Sequence, residues 1–291
     1  PVTDTAKFSS QIDKLWNSFW TGGITNPLSV IEQISYLMFS RLMDINEAKR
    51  ERRFRGDTSK YSPLFDKKAQ HVRWSNYRQL GPDEMLRVVR DEVFPHFRTV
   101  ASLTRSGTAK TSDHPSVGQY FEDAQLLIQK PSLLVEAVER VNDLDLTGDQ
   151  KGDIYELLLK KLTTAGINGQ FRTPRHIIEL MVQMIDPKPS ETICDPACGT
   201  GGFLIESMEY LTKKHTKKDG TYDRQYEDNR DHVRSGMFHG FDFDVTMLRV
   251  AAMNLLLHGI DDPAIAYQDT LSGSFGDNFP DWSEDAFDVV L

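Results

Sequence analysis

The chain has 291 residues, of which 39% are hydrophobic and 26% charged, and its formal net charge at pH 7 is −9. This composition is typical of globular proteins, and the length suffices for one large domain or two of average size. A membrane-spanning protein is excluded because no apolar run approaches the roughly 18 residues of a membrane helix, and a disulfide scaffold is excluded because only two cysteines occur. The N-terminus lacks the features of a secretory signal, so we expect a cytoplasmic protein with no membrane partner.

The charge is unevenly divided along the chain. Residues 1–165 carry 23 basic and 22 acidic side chains, whereas residues 166–291 carry 11 basic and 21 acidic ones. The densest basic cluster lies in the first part and consists of Lys49, Arg50, Arg52, Arg53 and Arg55. Such a cluster is either a solvated helix end or a contact surface for phosphate groups, because guanidinium groups pair well with phosphate oxygens.

The first part of the chain carries helical patterns, with apolar residues spaced three or four apart. Asn26 and Pro27 predict the start of a helix, since Asn is a good N-cap and Pro lacks an N–H that the first turn would leave unpaired. A further helix opens at Pro82 and is expected to end before Pro95. Other predicted helices start near residue 4 and cover residues 131–141 and 150–162, with a loop at 104–118. These patterns predict a helical domain over residues 1–165.

Short apolar runs alternate with helical patterns in residues 166–291, which we predict to form a separate domain. Strand candidates lie at residues 191–194, 237–241, 264–267 and 287–291, and helix candidates at 174–187, 201–214 and 245–258. Residues 215–235 are highly charged and are predicted to form a loop. The alternation of strands and helices at these lengths predicts an α/β fold, in which helices cover a parallel sheet.

The strongest local signal for a binding site is a glycine-rich turn between the first predicted strand and its helix. It comprises residues 193–203, which read Ile-Cys-Asp-Pro-Ala-Cys-Gly-Thr-Gly-Gly-Phe. Glycines at such a turn let a ligand approach the backbone, and the helix N-terminus offers unpaired N–H groups. The turn is neither a P-loop, because no Gly-Lys-Ser/Thr follows, nor a clean dinucleotide-binding pattern, because the third glycine is missing. We interpret Cys194 and Cys198 as small turn residues and expect no metal, since no second pair or nearby His completes a site.

Acidic residues follow the next two predicted strands. Asp242 ends the second strand, where a carboxylate can accept both hydroxyls of a ribose, and Asp269 follows the third strand. Asp244 is an alternative ribose partner, although the strand-end position favours Asp242. Because ligands bind across the carboxyl ends of neighbouring parallel strands, the three turns are expected to form one crevice. A glycine turn with these carboxylates predicts a cofactor that contains a nucleoside.

The sequence resembles the modification (M) subunit of type I DNA restriction–modification systems, which are S-adenosylmethionine-dependent, N6-adenine-specific DNA methyltransferases. The glycine turn carries this resemblance together with residues 168–175, which read Asn-Gly-Gln-Phe-Arg-Thr-Pro-Arg and are similar to the Gly-Gln-Phe-(Tyr)-Thr-Pro segment of that family. The resemblance covers essentially the whole chain. It implies a helical N-terminal domain over residues 1–165, followed by part of a Rossmann-like S-adenosylmethionine-dependent methyltransferase domain over residues 166–291.

The resemblance also implies roles for individual residues in binding S-adenosylmethionine. Phe171 and Thr173 would approach the cofactor, and residues 195–201 would surround its methionine part. Asp242 would hold the ribose, and Asp269 the adenine amino group. The complete set of candidate cofactor-binding residues is Gln170, Phe171, Thr173, Asp195, Pro196, Ala197, Gly199, Thr200, Gly201, Asp242, Asp269 and Thr270.

The family further implies DNA, the specificity subunit and the restriction subunit as partners. The helical domain would contact DNA or the specificity subunit, with the basic cluster from Lys49 to Arg55 as the candidate for phosphate contact. The catalytic Asn-Pro-Pro-Phe or Asn-Pro-Pro-Tyr motif of the family is expected after Leu291. We therefore expect no catalytic residue among these 291 residues and no methyl transfer by them alone.

Two other functions fit the same sequence. In one, the chain is the methyltransferase part of a fused restriction–modification enzyme. In the other, it is a non-catalytic assembly module with a vestigial cofactor pocket. Transfer to N4 of cytosine also stays open, because the loop that would discriminate between the two bases is missing from these residues.

Overall fold

The computed structural model describes residues 2–57, 61, 63–105, 120–147, 150–164 and 173–291. The chain divides into two units, Pro1–Asn168 and Gly169–Leu291. The domain boundary predicted after residue 165 falls outside the described residues and stays a prediction. None of the described helices has the length and apolar character that crossing a membrane requires.

The N-terminal unit is built from helices. They are α1 (Val2–Gly22), α2 (Pro27–Arg53), α3 (Trp74–Tyr77), α4 (Pro82–Val88), α5 (Phe94–Arg105), α6 (Pro131–Asn142) and α7 (Lys151–Thr164), with a 3-10 turn at Gln70–Val72 and a π-helical turn at Val89–Val93. Helix α2 is buried over much of its length and contacts α3, α6 and α7. Its ring Phe39 stacks on Phe121 and meets Phe97 edge-on, so aromatic contacts form part of the core.

Helix α2 begins as the sequence predicts. The Asn26 side chain accepts the backbone N–H groups of Leu28 and Ser29 at 3.0 and 3.2 Å, and Pro27 is the first helical residue. The helix ends at Arg53, so the basic cluster lies at its C-terminal end and just beyond it. Basic side chains are favourable there because they face the negative end of the helix dipole.

The prediction that a helix ends before Pro95 is wrong. The π-helical turn Val89–Val93 connects α4 to α5, and α5 continues through Pro95 to Arg105. In this turn the N–H of Phe94 donates to the carbonyl of Val89, five residues earlier. The wider turn makes room for the proline ring, whose missing N–H would interrupt a regular α-helical pattern.

Residues 173–291 form a parallel sheet of four strands with helices around it, which confirms the α/β prediction. The strands are β1 (Ile193–Asp195), β2 (Phe238–Asp242), β3 (Ala264–Tyr267) and β4 (Val289–Val290), in the order β3-β2-β1-β4. The helices are α8 (Arg175–Ile185), α9 (Gly202–His215), α10 (Arg224–Asp228), α11 (Arg230–Ser235), α12 (Val245–Leu257) and α13 (Phe275–Asn278). Asp195 pairs with Gly240, and Asp242 with Tyr267, so the first three strands end at the same edge of the sheet.

The loop predicted for residues 215–235 is wrong, because this stretch contains α10 and α11. Asp223 caps α10 by accepting the N–H of Tyr226 at 3.0 Å. Tyr226 and Val233 are buried and anchor the two short helices. Each helix has one buried residue, so no helical periodicity is visible in the sequence.

An aromatic cluster covers one face of β2. Phe241 contacts the rings of Phe275, Phe279 and Trp282, with centroids 5.0, 5.2 and 5.7 Å away. Trp282 also contacts His239, which is two residues from Phe241 and therefore points to the same side of the strand. The segment between β3 and β4 thus packs on the sheet mainly through rings, with only short helical turns.

Candidate functional site

A cavity of about 600 Å³ lies at the carboxyl ends of β1, β2 and β3. Its wall comes from the turn after each of these strands and from the first residues of α8 and α9. The lining residues are Thr173, Pro174, Ile178, Asp195, Pro196, Ala197, Cys198, Gly199, Thr200, Gly202, Phe203, Asp242, Phe243, Gln268, Asp269, Thr270 and Leu271. The three turns therefore form one crevice, as the order of parallel strands predicts.

The turn after β1 is shaped by two glycines with positive φ. Gly199 has φ 51° and Gly201 has φ 81°, and both values lie in the left-handed region that favours glycine. The Gly201 N–H donates to the carbonyl of Cys198 at 2.7 Å, and the Cys198 N–H donates to the carbonyl of Phe241 at 2.8 Å. The turn is thus tied to β2 as well as to β1.

Asp242 and Asp244 have different environments. The Asp242 carboxylate lines the cavity and accepts the N–H of Gly199 at 2.9 Å and that of Asp244 at 2.8 Å. The Asp244 carboxylate instead caps α12, where it accepts the N–H groups of Thr246 and Met247. This geometry favours Asp242 as the carboxylate that faces a ligand and gives Asp244 a helix-capping role.

Asp195 is a second buried carboxylate of the cavity. Burial raises the pKa of Asp195 to about 7; the N–H of Ala197, 3.1 Å away, opposes the shift, and the negative charge of Asp242 adds to it. Among the described residues, no Lys, Arg or His forms an ion pair with either carboxylate. This part of the cavity is therefore suited to a positively charged ligand group.

The turn after β3 completes the cavity. The Thr270 hydroxyl donates to the carbonyl of Pro196 at 3.0 Å, which joins this turn to the turn after β1. Asp269 is exposed, and one of its oxygens accepts the N–H of Leu271 at 3.0 Å. The Asp269 carboxylate is therefore accessible to a ligand at the rim of the cavity.

The structure brings most of the predicted cofactor-binding residues together. Those that line the cavity are Thr173, Asp195, Pro196, Ala197, Gly199, Thr200, Asp242, Asp269 and Thr270. Gly201 belongs to the same turn and is the N-cap residue of α9. Gln170 and Phe171 fall outside the described residues. The roles of these residues in cofactor binding stay predictions.

Sequence reasoning missed the aromatic part of the site. Phe243 lines the cavity although 67% of its surface is exposed, and Phe203 and Leu271 add further apolar surface. An exposed phenylalanine at a ligand cavity offers a flat face on which a purine base can stack. A signal was available, since Phe243 stands between two acidic residues just beyond a strand, where no core position calls for a large apolar side chain.

The basic cluster lies at the end of α2, in the N-terminal unit. Its exposed members are Lys49, Arg52, Arg53 and Arg55. Arg50 is partly buried, and its guanidinium lies 3.8 Å from the carboxylate of Glu47. The exposed side chains are thus the ones available for contact with phosphate groups.

Cys194 and Cys198 are free and buried. Burial raises the pKa of Cys194 to about 12 and that of Cys198 well above its ordinary value. Cys198 packs against Gly240 of β2, where an added Cβ would lie 3.0 Å from the Cβ of Cys198 and 3.1 Å from Cγ2 of Ile265. Within the described part of the chain, no group of three or more His, Cys, Asp or Glu side chains is placed to hold a metal ion. Cys194 is thus a buried residue of β1, and Cys198 packs against β2.

The parallel sheet, with the glycine turn and the carboxylates at its edge, has the arrangement that is typical of nucleoside-binding α/β domains. Residues 146–291 match the family described as N-6 DNA Methylase, and residues 8–141 match the HsdM N-terminal domain. The chain belongs to the N-6 DNA methylase family. The predicted resemblance to modification subunits of type I systems is confirmed.

Individual relatives of the chain are type I methylase subunits. The chain is 29% identical over 259 residues to the type I restriction enzyme EcoEI methylase subunit of Escherichia coli, which covers 86% of this chain and 49% of that subunit. It is 34% identical over 182 residues to the EcoKI methylase subunit of Escherichia coli (strain K12), which covers 58% of this chain and 34% of that subunit. The chain thus spans about half the length of the EcoEI subunit.

A solved structure has a similar fold. Its description concerns the structural basis of complex assembly and conformational transition of the type I R-M system. One of its chains matches this chain with a TM-score of 0.67 and 23% identity. The match covers 90% of this chain and 51% of that chain. This likeness agrees with the predicted order of a helical region followed by an α/β region.

Proposed function

We propose that the chain is the cofactor-binding part of a DNA methyltransferase subunit of a type I restriction–modification system, which acts in the cytoplasm and transfers the methyl group of S-adenosylmethionine to N6 of adenine. These 291 residues alone do not complete the transfer. The observation that carries this proposal is the cavity at the ends of β1, β2 and β3, where a glycine turn, two buried carboxylates and one exposed aromatic ring meet. Membership of the N-6 DNA methylase family supports the reaction, and the type I methylase subunits among the relatives support the setting.

The cavity residues fit S-adenosylmethionine. This cofactor combines an adenine base, a ribose with two neighbouring hydroxyls, and a methionine part with sulfonium and ammonium charges. A volume of about 600 Å³ lies within the usual range of small-molecule sites. Buried Asp195 and Asp242, without a basic partner among the described residues, fit a cationic ligand. When bound, the cofactor supplies a methyl group that its positively charged sulfur activates.

Each part of the cavity has a role in this proposal. The Asp242 carboxylate would accept the ribose hydroxyls, while its bond to the Gly199 N–H keeps it oriented. Asp195 and the glycine turn would surround the methionine part. Phe243 would stack on the adenine, and Asp269 at the rim would accept the adenine amino group. Polar recognition and base stacking would thus come from residues of one crevice.

The helical unit supplies contacts with other molecules. Lys49, Arg52, Arg53 and Arg55 are exposed and would pair with DNA phosphates. Arg50 would contribute less, because its charge faces Glu47. The relatives are subunits of type I restriction enzymes, which supports a complex with a specificity subunit that selects the target sequence and with a restriction subunit.

Isothermal titration calorimetry with S-adenosylmethionine tests the cofactor assignment. We expect saturable binding that S-adenosylhomocysteine competes for, and that ATP and NAD do not, because the turn has neither the P-loop nor the dinucleotide pattern. Failure to bind S-adenosylmethionine, or equal binding of NAD, would overturn the assignment.

The reaction needs a separate test. Tritium from S-adenosylmethionine is followed into DNA in the presence of the cognate specificity subunit, and the labelled bases are separated. N6-methyladenine is the expected product of a subunit extended to include the Asn-Pro-Pro-Phe or Asn-Pro-Pro-Tyr motif, whereas the 291 residues alone should transfer no label. Label in N4-methylcytosine instead would show that the methylated base is cytosine and not adenine.

A further inference from the structure

Asn254 is a buried polar residue of α12 that lies behind the cavity and not in its lining. Its relative exposure is 0%, and its Nδ2 donates to the carbonyl of Thr200 at 2.9 Å. Thr200 belongs to the turn after β1 and lines the cavity. A hydrogen bond between residues 54 positions apart therefore joins α12 to the proposed cofactor turn.

The peptide group between Thr200 and Gly201 is held at both ends. Its carbonyl accepts the Asn254 amide, and its N–H donates to the carbonyl of Cys198 at 2.7 Å. Leu255, the next residue of α12, approaches the same peptide, since a Cβ added at Gly201 would lie 3.3 Å from the Leu255 Cγ. Two neighbouring residues of α12 thus fix the position of this peptide.

We propose that Asn254 is a positioning residue for cofactor binding, which holds the glycine turn in the conformation that receives the ligand. Glycines allow a ligand to approach the backbone closely, but they also leave that backbone free to rotate. A turn with positive φ at Gly199 and Gly201 therefore needs restraints from outside. Asp242 holds the Gly199 N–H, and the Asn254 amide holds the Thr200 carbonyl. The identity of the ligand rests on the proposed function, whereas the restraint on the turn does not.

Loss of the Asn254 amide has two consequences. The buried carbonyl of Thr200 loses its donor, which is unfavourable as long as the peptide keeps its place. Rotation of the peptide next to Gly201 relieves this cost, because glycine tolerates many backbone conformations. The turn then spends less time in the binding conformation, and the apparent affinity falls in proportion.

Two substitutions of Asn254 and one control test this inference. Asn254→Asp keeps the shape of the side chain but places an acceptor against the Thr200 carbonyl, and Asn254→Ser is too short to reach it. Met253→Ala is the control, because Met253 is fully buried in the same helix and does not line the cavity. Calorimetry measures the Kd for S-adenosylmethionine, and hydrogen exchange measures the protection of residues 199–201 in the ligand-free chain. Thermal denaturation shows whether each variant folds. One folded Asn254 variant is enough for the test.

We expect the Asn254 variants to raise the Kd about tenfold and to speed exchange in the turn. Met253→Ala should lower the Tm but change the Kd by less than about twofold. Wild-type affinity and exchange in a folded Asn254 variant would overturn the inference, as would an equal affinity loss in Met253→Ala. If the wild-type chain binds no S-adenosylmethionine, the proposed function fails, and the exchange of the turn alone decides the inference.

Discussion

The backbone N–H of Gly199 donates to the carboxylate of Asp242 at 2.9 Å and so connects the turn after β1 to the end of β2. The other Asp242 oxygen accepts the N–H of Asp244 at 2.8 Å. Each carboxylate oxygen therefore has a backbone donor that fixes its direction before a ligand arrives. A group oriented in this way loses little conformational entropy on binding, which favours tight recognition of a ribose.

Replacement of Asp242 with alanine should weaken S-adenosylmethionine binding by about 100-fold. The change removes the acceptor proposed for the ribose hydroxyls and also the anchor of the Gly199 N–H. Asp242→Asn should lose less affinity, because its amide oxygen still accepts one hydrogen bond. Isothermal titration calorimetry provides the three affinities.

Asp244→Ala is the matched control for Asp242→Ala. It removes the cap of α12 and should destabilise the chain by about 1 kcal/mol, measured by denaturant unfolding. The affinity for S-adenosylmethionine should stay within about twofold of wild type. A larger affinity loss in Asp244→Ala than in Asp242→Ala would reverse the assignment of the ribose-binding residue.

Phe243→Ala should reduce the affinity for S-adenosylmethionine by about 1–3 kcal/mol, the range found for stacking of a base on an aromatic ring. The side chain is largely exposed, so the Tm should hardly change. Phe243→Tyr keeps the ring and should bind like wild type. Unchanged affinity in Phe243→Ala would show that the adenine does not stack on this ring.

The affinity for S-adenosylmethionine should rise between about pH 6 and pH 8. Burial raises the pKa of Asp195 to about 7, so this carboxyl is mostly protonated at the lower pH and mostly ionised at the higher one. Only the ionised form attracts the positive charges of the cofactor. Asp195→Asn should flatten the pH dependence, and calorimetry across this range in both proteins checks it. If Asp195→Asn kept the pH profile of the wild type, the pH dependence of binding would come from another group.

Charge reversal in the basic cluster should weaken DNA binding. Arg52→Glu with Arg53→Glu removes two exposed cations, and we expect the slope of log K against log salt to fall by about one for each phosphate that the variant no longer neutralises. Lys14→Glu with Lys130→Glu is the control, because both lysines are exposed elsewhere and the net charge changes equally. Fluorescence anisotropy at several salt concentrations measures both variants. Equal reductions in affinity would indicate an effect of net charge and not of a contact surface.

Arg73→Met should destabilise the N-terminal unit by about 3 kcal/mol. Arg73 donates to Asp44 at 2.6 Å and to Glu51 at 2.7 Å, and only 11% of its side chain is exposed, so its loss leaves carboxylates unpaired in a partly buried place. Arg90→Met is the control, because the ion pair of Arg90 with Asp91 is exposed and should contribute little. Urea unfolding compares the two variants. Equal reductions in stability would contradict the importance of burial.

The elements that local chemistry determines were predictable. Asn26 and Pro27 act on the first turn of α2 alone, and the alternation of short strands with helices after residue 190 is visible without tertiary contacts. The continuation of α5 through Pro95 was not predictable, because it depends on a π-helical turn that no sequence pattern marks. The helices within residues 215–235 were missed because single buried anchors hold them.

The candidate site likewise contains residues that were predictable from the sequence and residues that were not. Asp242 was predictable as the ribose partner because it stands at the end of a strand. The structure distinguishes Asp244 from it, because the Asp244 carboxylate caps α12. Asn254 was not predictable, since its partner Thr200 is distant in sequence and its surroundings look like any buried helix. Interactions across the fold, unlike caps and strand ends, leave no local signal.

Gly240 lies between Cys198 and Ile265, and an added methyl group would lie only 3.0 and 3.1 Å from them, so both neighbours would have to shift by a few tenths of an ångström. Alanine at this position therefore requires that Cys198 and Ile265 shift or become smaller. In homologous proteins the three positions should covary, and a lone change at this strand position should be purged by selection. The packing behind the glycine turn thus constrains mutation, in addition to the polar groups in front of it.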